Sequence, residues 1–126
     1  MFQISVLQQF SAAHHLAQYP GACALMHGHN WEVEVFVEGD RLNDTGILLD
    51  FRQLREAVRE VVDPLDHSDL NTLEAFKAVN PTSESIARYI FKRLAEQLNC
   101  PDYHVARVTV RETPGSMAAY WEEPVK

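Results

Sequence analysis

Two long segments near the start of the chain constrain its fold more than anything else in it. Residues 2 to 14 alternate, with Phe2, Ile4, Val6, Phe10 and Ala12 on every second position. Further on, Trp31, Val33, Val35 and Val37 point one way, while Glu32, Glu34 and Glu38 mostly take the other. A period of two is the signature of a strand with one face buried and one wet. Tyr19-Pro20-Gly21 interrupts the pattern and opens a loop that carries Cys23, and Gly39-Asp40 begins a turn region.

The period then changes. Asp50 has the character of a helix N-cap, with Gln53 three residues later completing a capping-box pattern. Phe51, Leu54, Val58, Val61 and Val62 form an apolar stripe, and Pro64 limits the helix. A loop follows through Asp66-His67-Ser68-Asp69. Pro81-Thr82-Ser83-Glu84 starts a second helix, whose Ile86, Ile90, Leu94 and Leu98 are spaced by four, and Asn99-Cys100-Pro101 stops it. Residues 104 to 112 alternate again, and 117 to 123 read as a last strand after Pro114-Gly115. Strand, strand, helix, helix, strand, strand predicts an α+β fold, a four-stranded antiparallel sheet with two helices on one face. The 126 residues suit a single domain over 1–126. So small a sheet leaves two edges open, which favours pairing with other subunits.

A formal net charge of -7 argues against a nucleic-acid partner, which needs clustered Lys and Arg. The chain shows no secretory signal pattern and no apolar run long enough to span a membrane, so a cytoplasmic protein is expected. Cys23 and Cys100 allow one disulfide at most, and two free thiols are the expectation in that compartment.

The chemistry begins with His27-Gly28-His29. On a strand, residues two apart share a face, so both imidazoles converge, and both fall in phase with Trp31 and Val33. Counting forward from Phe10 and Ala12 puts His14 on the inward register of the first strand and His15 on the outward one, unless a bulge shifts the phase. A single His-x-His is more often an accident of packing. Three histidines on inward registers form a common arrangement for catalytic zinc, with the fourth position open. Cys23 precedes His27 by four residues, and a cation nearby would favour its thiolate. Cys100 reads as structural. Asp66-His67 is either a solvated turn or a proton relay in which the carboxylate fixes the imidazole tautomer; spacing leaves open whether His67 meets Cys23. Glu112 continues the register of Ala106, Val108 and Val110, and an inward carboxylate needs a partner. One such partner is a ligand offering two parallel N–H bonds, as an amino-pyrimidinone edge does.

These residues resemble the 6-pyruvoyl-tetrahydropterin synthase family, most closely its bacterial 6-carboxy-5,6,7,8-tetrahydropterin synthase branch, over nearly the whole length. The resemblance is carried by Phe10-Ser11-Ala12-Ala13-His14, by Cys23-Ala24-Leu25-Met26-His27-Gly28-His29, and by Gly46 to Asp50-Phe51. Leu65-Asp66-His67 through Leu70-Asn71, Asn80-Pro81-Thr82-Ser83-Glu84 and Arg111-Glu112-Thr113 add to it. It implies the tunnelling fold, with sheets joined into a barrel as a homohexamer and active sites between subunits. It also implies zinc on His14, His27 and His29, and Cys23, Asp66, His67 and Glu112 in catalysis, Glu112 also holding the pterin. The implied substrate is 7,8-dihydroneopterin triphosphate. The short spacing from Cys23 to His27 resembles the bacterial branch, which forms 6-carboxytetrahydropterin for queuosine. A pyruvoyl-forming synthase, a side-chain-cleaving enzyme and a non-catalytic zinc-stabilised module are the rival readings.

Overall fold

Along the chain run β1 (Phe2–His14), β2 (His27–Gly39), α1 (Phe51–Val62), β3 (Ser68–Asp69), α2 (Ser83–Leu98), β4 (His104–Thr113) and β5 (Ser116–Tyr120). They are seen in a computed structural model that describes residues 1–18, 21 and 24–123. The two alternating segments become β1 and β2, which pair antiparallel from Phe2 opposite Gly39 to His14 opposite His27. Trp31, Val33, Val35 and Val37 are wholly buried, as the period-two pattern requires.

The sheet has five strands in the order β3-β1-β2-β4-β5, one more than the four expected. The additional strand, β3, runs parallel to β1 and pairs Ser68 with Ala12 and Asp69 with Ala13. Two residues carry no periodicity, so nothing in the local pattern marks them as a strand. The last strand, expected over 117 to 123, is Ser116–Tyr120. In β4 the expected inward row of Ala106, Val108 and Val110 holds only in part. Val37 pairs with Val105 and Phe36 with Arg107, so Ala106 is an inserted residue and Val105 takes the core position.

Both helices cover one face of the sheet, α1 against β1 and α2 against β4 and β5. The Asp50 carboxylate caps α1 by accepting the Arg52 N–H at 2.7 Å. Leu54, Val58, Val61 and Val62 are buried below it. Phe51, expected on that stripe, is 49% exposed; it lines a shallow rim groove with Phe2 and Ile47. Thr82 caps α2 through the Ser85 N–H at 3.0 Å. Ile86, Ile90 and Leu94 are fully buried, and Leu98 is half-buried where the helix ends. Among the described residues no helix is long and apolar enough to cross a membrane.

Candidate metal centre

The core ends in histidine. The β1–β2 register sets His14 directly opposite His27, and Ala12 opposite His29. Because every second residue faces inward, His14 continues the row of Phe10 and Ala12, and His29 and His27 continue that of Trp31. His14 is only 1% exposed. The ring centroids lie 4.5 Å apart for His14–His27, 4.8 Å for His27–His29 and 5.4 Å for His14–His29.

Neighbouring groups fix the rings. Trp31 forms the floor, edge-on to His14 at 5.0 Å and to His29 at 5.3 Å, and parallel to Phe10 at 5.9 Å. Its Nε1–H donates to the Ala12 carbonyl at 3.2 Å. Nδ1 of His14 lies 2.8 Å from the Pro81 carbonyl oxygen, and Nδ1 of His27 lies 2.7 Å from that of Leu25. A carbonyl only accepts, so both Nδ1 atoms donate, and Nε2 is the lone-pair atom of the neutral ring. Burial holds the His29 pKa below its ordinary value; Glu112 opposes this and the other two imidazoles reinforce it. Burial thus favours the neutral His29 ring, the form that binds metal.

Glu112 completes the group. Arg111 pairs with Met117 and Thr113 with Ser116, so Glu112 is an extra residue with no partner in β5. A bulge of this kind re-aims a side chain. Its Oε1 stands 3.1 Å from His14 Nε2 and 3.2 Å from His29 Nε2. These are close approaches without hydrogen-bond alignment: both Nε2 atoms are buried and have no hydrogen-bond partner. One donor atom from each of His14, His27, His29 and Glu112 falls within 4.8 Å of the others. Orphaned imidazole nitrogens beside a carboxylate make a donor set that fits a divalent transition metal ion.

Phase reasoning placed His14 inward and His15 outward, and His14 is the buried one of the two. The His15 backbone is instead clamped by Asn71, which accepts its N–H at 2.9 Å and donates to its carbonyl at 3.1 Å. Asn80 brackets Ala17 in the same way, at 2.9 and 3.1 Å. Asp66 and His67 are in contact: His67 Nδ1 is 2.9 Å from Asp66 Oδ2. Asp66 Oδ1 also accepts the Ser11 N–H at 2.8 Å. That backbone bond, followed by His67, holds the Asp66 carboxyl below its ordinary value. His67 has φ of 55°, a left-handed backbone that costs energy in any non-glycine residue, and its side chain is 82% exposed. Among the described residues, no hydrogen bond or ion pair links Asp66 or His67 to the three histidines. Cys23 lies outside the described residues. Cys100, expected as a packing residue, is exposed.

Sequence reasoning missed the carbonyls of Pro81 and Leu25 and the part played by Trp31. Pro81 lies 67 positions from His14, and a backbone carbonyl leaves no side-chain signal.

A family model described as 6-pyruvoyl tetrahydropterin synthase matches residues 3–123. The 6-carboxy-5,6,7,8-tetrahydropterin synthase of Synechocystis sp. is 38% identical over 89% of this chain and 87% of its own. The Bacillus subtilis protein of the same name is 33% identical over 94% and 84%. Among solved structures, the Caenorhabditis elegans 6-pyruvoyl tetrahydropterin synthase superposes with a TM-score of 0.87 at 29% identity, covering 97% of this chain and 96% of that one.

Proposed function

We propose an activity on the premise that this chain belongs to the 6-pyruvoyl tetrahydropterin synthase family: it is a 6-carboxy-5,6,7,8-tetrahydropterin synthase. The substrate is 7,8-dihydroneopterin triphosphate, and the products are 6-carboxytetrahydropterin, acetaldehyde and triphosphate, on the route to queuosine. The observation that carries this reading is the convergence of His14, His27 and His29 at the inward end of the two longest strands, with two buried Nε2 atoms left unpartnered. The named relatives that cover most of the chain support the choice of branch.

The ion is zinc, held by His14, His27 and His29, and when bound it supplies Lewis acidity to the hydroxyls of the substrate side chain. Cys23, as thiolate, removes a carbon-bound proton from that side chain. His67 receives and returns protons, with Asp66 holding its tautomer through the 2.9 Å contact. Glu112 accepts the 2-amino and ring N–H groups of the pterin as a parallel pair. His67 is almost fully exposed in the single chain, which supports an active site closed by a second subunit. The assembly is a homohexamer in the cytoplasm, its sheets joined through edge strands β3 and β5 into a barrel.

Incubating zinc-loaded protein with 7,8-dihydroneopterin triphosphate and identifying products by mass spectrometry tests the proposal. 6-Carboxytetrahydropterin with acetaldehyde is expected. A 6-pyruvoyl product would move the chain to the other branch, and an unchanged substrate would overturn the activity altogether.

A further inference from the structure

Beyond β3 the edge of β1 is completed by side chains. β3 itself supplies two parallel rungs, Ser68 beside Ala12 and Asp69 beside Ala13. Residue 71 stands to residue 15 as 68 does to 12, both pairs being 56 positions apart, so the same register sets Asn71 beside His15. By then the backbone has turned away into a 3-10 turn over Leu70–Thr72. The Asn71 side chain takes the rung instead: Oδ1 accepts the His15 N–H at 2.9 Å, and Nδ2 donates to the His15 carbonyl at 3.1 Å. One amide thus gives His15 the acceptor and the donor that a neighbouring strand would. The other end of the segment is fastened too. Asp66 Oδ1 accepts the Ser11 N–H at 2.8 Å, and the His67 N–H donates to the Ser11 carbonyl. Between these anchors His67 is held at φ of 55°. A non-glycine residue keeps such a backbone only where its surroundings over-determine it.

We propose that Asn71 is a positioning residue: by closing the far end of the 66–71 segment on β1, it holds His67 in its left-handed backbone and so aims the imidazole. The ring needs this support. Its side chain is 82% exposed, and among the described residues Asp66 is its one hydrogen-bonding or ion-pairing partner. Packing therefore does little to direct the ring, and the direction comes from the backbone that carries it. Asn80 brackets Ala17 as Asn71 brackets His15, but it leads into α2 and not into the segment of His67. It is the natural control. The aiming of His67 rests on its proton-transfer role in the activity proposed above, whereas the holding of its backbone does not.

The test compares His67→Gly with His67→Ala, since both lose the imidazole and only Ala is strained at positive φ. In the otherwise wild-type protein, His67→Gly should unfold at a higher urea concentration than His67→Ala, at one fixed protein concentration. Asn71→Asp sets an oxygen against the His15 carbonyl where the donor was. In that background the Gly–Ala difference should shrink to near zero, because the freed segment relaxes. Asn71→Ala removes both bonds without a new charge, and it carries the comparison if circular dichroism shows Asn71→Asp unfolded. Asn80→Asp should leave the difference intact. No difference in the wild-type background, an undiminished one in the Asn71 variants, or an equal loss in Asn80→Asp would each overturn the inference. Turnover of 7,8-dihydroneopterin triphosphate gives the functional arm. Asn71→Asp should lower kcat about 10- to 100-fold, the scale of an ångström-sized misplacement, with KM and zinc content unchanged. An unchanged kcat, or a change in KM alone, would overturn the positioning role. A Gly–Ala difference that depends on Asn71 in a protein without turnover would sink the activity and leave the holding of His67 standing.

Discussion

Replacing Trp31 by Phe tests whether the floor of the metal centre is structural, functional or both. The side chain is 0% exposed and touches Phe10, His14 and His29 at once. Phe keeps an aromatic ring but deletes the Nε1–H that donates to the Ala12 carbonyl at 3.2 Å. A lost hydrogen bond of this kind costs about 1 kcal/mol. The smaller ring leaves a void of roughly 40 Å³, which at about 24 cal/mol per Å³ adds about 1 kcal/mol. Loss of edge contacts to the two imidazoles brings the total to about 2–3 kcal/mol. Urea unfolding of the chelator-treated protein, followed by far-UV circular dichroism, measures this without interference from metal. The same variant should bind zinc about tenfold more weakly, because Trp31 helps orient two ligand rings. A stability loss under about 0.5 kcal/mol, where most buried deletions cost more, would refute the packing argument. Unchanged zinc affinity with the full stability loss would show that the floor supports the fold and not the ligands.

Further outcomes follow from the same geometry. His14→Ala, His27→Ala and His29→Ala should each lose zinc, read by elemental analysis after dialysis, while His15→Ala keeps it; wild-type zinc content in His14→Ala would overturn the ligand set. Cys23→Ala should retain zinc and bind the pterin, yet form product orders of magnitude more slowly in a mass-spectrometric assay, and loss of zinc instead would make the thiol a ligand. Asp66 titrates below its ordinary value of 3.8, so its contribution to stability is complete above that pH and disappears as pH falls through the lowered value. The stability gap between wild type and Asp66→Asn should therefore be open at pH 6 and shrink below pH 3.8, measured as urea midpoints. A gap independent of pH would assign it to packing.

The sequence determined a good deal by itself. Period-two alternation placed β1 and β2, because one buried face imposes that repeat whatever surrounds it. The same phase selected His14, His27 and His29, since a strand fixes which face a residue serves. The helix starts at Asp50 and Thr82 were legible because a cap bonds within its own turn. Tertiary structure decided the rest, wherever the determining partner is far away in the chain. β3 exists only because β1 offers an open edge to Ser68 and Asp69. The bulge at Ala106 arises from how β4 must register against β2. Glu112 had an inward address in the sequence, but only the bulge against β5 and the meeting of three strands bring its oxygen within 3.2 Å of two imidazoles. Local patterns report which way a side chain points; what it meets there depends on strands brought together from distant parts of the chain.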